Sequence, residues 1–226
     1  MGISYQRLNT TFSFGLSTKW RKQLVQQISA TDNVIEIIDL MSGTGEMWEI
    51  IFDKFPNAQL TALDFSEEMT NCALDKNKSQ FQNSVNVLRQ DFLNNTLPSN
   101  HYDIAICAFG LKTFSQAQLH QFMTEVKRIL KPKGTLFCVE LTLPKNVFLK
   151  SFYYVYLKII LPFIGSLFIQ KHNGHKLLWQ YIHAFQKENK LHTIQTSDEM
   201  LKITCKPLCF GYATVVHGKL KSVVEI

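Results

Sequence analysis

Apolar positions change their period repeatedly along this chain. After Ser17, the residues Trp20, Leu24, Val25 and Ile28 recur at helical spacing, which predicts a helix over 18–29 with Ser17 as its N-cap. Val34-Ile35-Glu36-Ile37-Ile38-Asp39-Leu40 is a β-branched apolar run, the composition of a strand buried on both faces. Met47, Ile50, Ile51 and Phe55 return to helical spacing until Pro56 and Asn57 stop them. A second strand is predicted at 60–64. Ser66 then caps another helix and places Glu67 and Glu68 in its first turn, where the helix dipole favours carboxylates. Strands follow at 85–88 and 102–108. Leu119, Phe122, Met123, Val126, Ile129 and Leu130 mark one face of a long helix, which Lys131-Pro132-Lys133-Gly134 ends before a fifth strand at 135–141. Past Pro144 come two aromatic-rich helical segments, 146–169 and 173–188, then polar turns and β-type runs at 209–216 and 220–226. Strand–helix alternation implies parallel strands joined by right-handed crossovers. The expected fold is therefore α/β, a Rossmann-like three-layer sandwich. Its mostly parallel seven-stranded sheet carries an antiparallel C-terminal hairpin and a helical insertion near 146–188. No linker divides the chain, so residues 1–226 read as one domain.

Composition adds little to this and excludes more. The net charge is +6, but the lysines are scattered and no arginine-rich helix or aromatic RNA-binding motif occurs, so no nucleic-acid partner is expected. The five cysteines are odd in number and form no Cys-x-x-Cys, the usage of a reduced, cytoplasmic protein. Cys205, Cys209 and His217 lack a fourth ligand at sensible spacing, so no metal is expected. The N-terminus has no apolar core of a signal peptide. The uncharged piece 159–170 is too short to span a bilayer. Phe152, Tyr153, Tyr156, Ile160 and Phe163, with Lys150 and Lys158, leave three readings open. They can form a lid over a greasy small-molecule acceptor, a peripheral contact with an anionic membrane, or a homodimer contact or ordinary core.

The chemistry concentrates where the first strand ends, at Asp39-Leu40-Met41-Ser42-Gly43-Thr44-Gly45-Glu46. Ligands of open α/β sheets bind at the carboxyl ends of the strands, and Gly43 and Gly45 permit close approach. Asp64 closes the second strand about 20 residues beyond Gly45, the distance at which an acid receives a ribose diol. This much allows NAD or S-adenosylmethionine. Trp48 stands where the dinucleotide fingerprint requires Gly or Ala, and Glu46 stands where a pyrophosphate would need a free helix N-terminus. A cofactor with a sulfonium and an ammonium suits Asp39 and Glu46 better. Asp91 and Phe92 follow the third strand, where a carboxylate can take an adenine amino group and a ring can pack on the base.

These residues are similar to a known family. The chain resembles the ubiquinone/menaquinone biosynthesis C-methyltransferases, a branch of the class I S-adenosylmethionine-dependent methyltransferases. The likeness lies in Tyr5, Asn9, Ser13-Phe14-Gly15, Trp20-Arg21, the glycine loop and Asp64-Phe65-Ser66-Glu67-Glu68-Met69. It continues in Phe109-Gly110-Leu111-Lys112, Leu130-Lys131-Pro132-Lys133-Gly134, 161–167 and the close from Gly211 to Gly218. The resemblance implies methyl transfer from S-adenosylmethionine to a small, hydrophobic or quinol-like aromatic acceptor. It assigns Asp39, Met41, Ser42, Gly43, Thr44 and Gly45 to the methionine end, Asp64 and Phe65 to the ribose region, Asp91 and Phe92 to adenine, and Ala108 to the cofactor's flank. Tyr5, Phe14, Lys112, Glu140 and His175 are the candidates to face the acceptor. Lys112 can stabilise an oxyanion and His175 can act as base. The family pattern has Gly at Ser42, Ser at Ala108, Arg at Lys112 and a tyrosine-rich stretch near 175–178. Those departures keep a second class open, a methyltransferase-fold partner or scaffold of a quinone-type pathway. A nicotinamide oxidoreductase is disfavoured by Trp48.

Overall fold

A computed structural model describes residues 13, 15–31, 33–161, 174–196 and 200–221. Seven strands form one sheet in the order β3-β2-β1-β4-β5-β7-β6. They are β1 (Glu36–Leu40), β2 (Gln59–Asp64), β3 (Val85–Arg89), β4 (Tyr102–Ala108), β5 (Leu130–Leu141), β6 (Leu201–Leu208) and β7 (Ala213–Leu220). The first five pair in parallel, and β7 runs antiparallel to both β5 and β6. The helices are α1 (Leu16–Gln26), α2 (Trp48–Lys54), α3 (Glu67–Gln80), α4 (Gln116–Ile129), α5 (Val147–Val155), α6 (Gly174–Lys187) and α7 (Lys190–Thr196).

Two apolar cores flank the sheet, because strands buried on both faces need a helical layer on each. On one face Trp20 and Leu24 of α1, Trp48 and Ile51 of α2 and Ala73 of α3 pack on Ile37, Ile106 and Val139. On the other, Leu119, Phe122 and Val126 of α4, Phe185 of α6 and Ile194 of α7 pack on Ile38, Cys107 and Cys138. This is the expected three-layer sandwich. A third cluster joins Leu143, Tyr153, Leu157, Leu161 and Ile182 and seats the insertion against the sheet's carboxyl end.

Local sequence accounts for most boundaries. Ser66 caps α3 by accepting from the Met69 amide at 3.4 Å. Ser115 and Gln118 form a reciprocal capping box on α4. Four expectations are corrected. Gly15, in the left-handed region, precedes α1, and Ser17 lies within its first turn, its hydroxyl 2.8 Å from that of Ser13. β5 begins at Leu130, directly after α4, because Tyr102 pairs with Leu130 before an irregularity in the ladder. The first insertion helix gives way to a π-helical turn, Tyr156–Ile160. Lastly, the expected antiparallel hairpin is present but set earlier than 209–216 and 220–226, of which 222–226 lie outside the described residues. Its strands are Leu201–Leu208 and Ala213–Leu220, with the turn at Cys209–Gly211. Lys202, Lys206 and Pro207 made the first of these read as turn; they are tolerated because β6 is an edge strand with one solvent face.

Candidate active site

Strand order reverses between β1 and β4, and the crevice opens where those two strands end. Met41 leaves β1 with a positive φ of 55° and lays its thioether on Gly110, where any Cβ would fall 2.5 Å from the sulfur. The Ser42 amide donates to Leu63 O at 3.0 Å, extending the β1–β2 ladder by one bond. Gly43 and Gly45 both take positive φ, 57° and 78°. A Cβ on Gly45 would also meet the Trp48 indole at 2.6 Å. Trp48, wholly buried, therefore fills the space that close helix–strand packing would need. Glu46 folds its carboxylate over Gly43, 3.2 Å from where a Cβ would be, which puts negative charge at the loop's mouth.

Asp64 organises the loop from the neighbouring strand. Its Oδ2 accepts from the Gly43 amide and its Oδ1 from the Ser66 amide, both at 2.9 Å. Each oxygen retains a lone pair for a further donor. Phe65 beside it exposes 68% of its surface at the same strand end. Asp91 is exposed and caps the short turn Phe92–Asn94 by accepting from the Leu93 amide at 3.0 Å. The Phe92 ring corrects the expectation placed on it. It lies in the core, edge-on to Phe122 with centroids 5.1 Å apart, and offers no face to a base.

Among the described residues, four buried polar atoms around the loop lack a well-formed hydrogen bond: Arg21 Nε, Asp39 Oδ2, Thr44 Oγ1 and Trp48 Nε1, although the Trp48 side chain still acts on the Asp39 carboxyl. Buried polar groups are nearly always paired, so a cluster of orphans at a strand-end crevice marks where a polar ligand belongs. Burial, reinforced by the Glu46 charge, raises the Asp39 carboxyl to about 8. A cationic ligand would relieve both. The set of carboxylates, glycine backbone and orphaned donors thus fits the zwitterionic, sulfonium-bearing end of S-adenosylmethionine. It does not fit a pyrophosphate.

Two residues of this site carried no role in the sequence reading. Lys76 of α3 donates to Gly45 O at 2.6 Å and lies 5.7 Å from the centroid of the Trp48 ring. Its place next to the buried stripe Thr70, Ala73, Asn77 was the available signal. Arg21 stacks its guanidinium 4.9 Å over the Phe109 ring at the end of β4.

The acceptor candidates fare differently. Lys112 and Glu140 are both buried, 7% and 0% exposed, and bind each other at 3.2 Å. Glu140 also accepts from the amides of Lys112 and Leu141, and the Lys112 ammonium donates to Phe109 O. Neither is a free group facing an acceptor; together they clamp the turn Leu111–Thr113 to β5. Ala108 is partly buried beside Phe109. His175 lies in α6, but its side chain, like Tyr5 and Phe14 altogether, falls outside the described residues. His217, weighed as a metal ligand, stacks on Phe137 with centroids 4.4 Å apart.

The ubiE/COQ5 methyltransferase family profile matches residues 2–221. The chain is 31% identical over 222 residues to the demethylmenaquinone methyltransferase of Protochlamydia amoebophila, covering 95% of this chain and 89% of that one. Likewise it is 31% identical over 218 residues to the demethylmenaquinone methyltransferase of Thermotoga maritima, covering 96% and 91%. A SAM-dependent methyltransferase from Aquifex aeolicus shares the fold with a TM-score of 0.62 at 15% identity, over 89% of each chain.

Proposed function

The chain belongs to the ubiE/COQ5 methyltransferase family of S-adenosylmethionine-dependent enzymes, and from that premise we propose that it methylates a ring carbon of a small hydroxylated aromatic acceptor of the quinol type. The relatives whose names specify demethylmenaquinone support that acceptor class. The observation that carries the cofactor half of the reading is the cluster of orphaned polar atoms around Gly43–Gly45 at the sheet's switch point.

When bound, S-adenosylmethionine supplies an electrophilic methyl group. The chain's own residues align and shield. Glu46 sets a negative potential at the loop, which favours the cationic end of the donor, and Asp39 adds its charge when that cation displaces its proton. Asp64, already fixed by two amides, holds the ribose diol with its remaining lone pairs. Asp91 takes the adenine amino group, and the exposed Phe65 ring, rather than Phe92, covers the base. Tyr153, next to Tyr212 and Glu140, is held well above the ordinary tyrosine range by burial. Its hydroxyl therefore stays neutral and cannot act as a base. Fixing donor and acceptor in one geometry is the rate contribution these residues supply.

The insertion supports a second element of the proposal, peripheral contact with an anionic membrane surface. Phe148, Phe152, Val155 and Ile159 are exposed and follow one another by four, three and four residues. They form a stripe opposite the buried Tyr153, Leu157 and Leu161. Lys145, Lys150 and Lys158 accompany it, the charge pattern of an interfacial helix. No described helix is long and apolar enough to cross a membrane.

Calorimetric titration tests the cofactor half. S-adenosylmethionine and S-adenosylhomocysteine should bind and NADH should not. Asp64→Ala should weaken both by about tenfold or more, the scale of a lost charged hydrogen bond. A folded sample binding neither would refute the reading and leave the scaffold alternative. Mass spectrometry of products from demethylated quinols then separates ring methylation from O-methylation.

A further inference from the structure

The site is almost wholly acidic, with Asp39, Glu46 and Asp64 around the glycine loop, yet an amino-acid end carries a carboxylate as well as an ammonium. That carboxylate needs a cation with donors to spare. Lys76 is committed to the loop itself: its ammonium donates to Gly45 O and sits 5.7 Å from the centroids of both the Trp48 and Phe81 rings, and its two remaining donors have no planar fork to match a carboxylate. Arg21 has that fork. Its Nε is buried without a partner, and it forms no ion pair with any described residue. Its position is fixed from both sides, by the buried Trp20 before it in α1 and by the Phe109 ring beneath it. Phe109 directly follows β4, and the next residue, Gly110, carries the Met41 thioether of the loop, so the guanidinium stands at the β1–β4 switch point, where its charge also acts on the Asp39 carboxyl.

Resting on the cofactor reading above, we infer that Arg21 is the carboxylate anchor of the cofactor's amino-acid end, so that α1 completes a site the sheet alone leaves open. The planar guanidinium suits a carboxylate in a way an ammonium does not, and stacking on Phe109 pre-orients it while its Nε–H keeps no partner. The zwitterion is then read at both ends, its ammonium by Asp39 and its carboxylate by Arg21. Thr44 Oγ1 remains to orient it.

Three probes separate this from a structural role. S-adenosylhomocysteine carries the carboxylate, decarboxylated S-adenosylmethionine keeps the amine alone, and 5′-methylthioadenosine has neither. By calorimetry, Arg21→Met should weaken S-adenosylhomocysteine by about tenfold to hundredfold, the range for a charge-assisted pair. It should change the affinity of the other two by less than about threefold, within the reach of a neutral surface contact. Arg21→Lys should recover part of the loss. Equal weakening of all three probes, or no weakening of any, would overturn the inference while leaving the cofactor reading intact. If wild-type protein bound none of the three, the cofactor reading itself would fall and this inference with it. Thermal melts of the free variants establish that each is folded, and the Arg21→Lys comparison decides the matter if Arg21→Met does not fold.

Discussion

Lys112 and Glu140 show how burial redefines residues that the sequence places only near strand ends. An ionised carboxylate with no exposure needs every available donor, and Glu140 has an ammonium and two amides. Removing one partner strands the other. Glu140→Ala should therefore lower stability by about 3–5 kcal/mol, whereas a paired Lys112→Met, Glu140→Leu variant should cost much less. Urea unfolding of the single and double variants measures both. A single variant as stable as wild type would mean that the pair does not carry the turn. Phe65 and Phe92 make the same point for aromatic rings. Each follows an aspartate at a strand end, and the chain gives no sign of which ring turns inward. Only the presence of Phe122 across from β3's exit decides that Phe92 does.

At the scale of the element, amphipathic period is a sound guide where one face meets the sheet and a poor one where two faces are apolar. α1 and α4 read cleanly, because their polar faces are polar. α5 and the π-helical turn after it are apolar on both sides, so their sequence announced a helix without saying which side is buried. The structure buries Tyr153 and Leu157 and leaves Phe148 at 86% and Phe152 at 69% exposure. Phe148→Ser with Phe152→Ser should therefore reduce flotation with vesicles containing phosphatidylserine by about tenfold, from roughly 1 kcal/mol or more of apolar burial per ring. Cofactor affinity should stay unchanged. Equal flotation of variant and wild type, or none by wild type, would remove the membrane contact. The antiparallel C-terminal hairpin is present as expected but set earlier in the chain, for a related reason. Lys206 and Pro207 are turn-like locally, and only an outermost position in the sheet lets a strand contain them.

For the molecule as a whole, Asp39 couples folding, pH and ligand. Its folded value of about 8 lies above the ordinary 3.8. Between those values the native state binds the extra proton, so the stability this group allows is greatest at the acid end and falls as pH rises toward about 8. Asp39→Asn should flatten that fall, as urea midpoints across the range would show; an unchanged slope would assign it elsewhere. A ligand ammonium placed at Asp39 reverses the preference and expels the proton, so affinity for S-adenosylhomocysteine should climb over the same interval. The sequence by itself determined the strand–helix order, the two-faced core and the glycine loop with Asp39 and Asp64. Each of these follows from residue period or backbone freedom, which are properties of neighbours along the chain. Tertiary structure alone decided that Arg21 stacks on Phe109 at the end of β4, that Lys112 is consumed by Glu140 and that the hairpin begins at Leu201. Those outcomes depend on residues brought together from distant segments, and a one-dimensional pattern carries no distances between them.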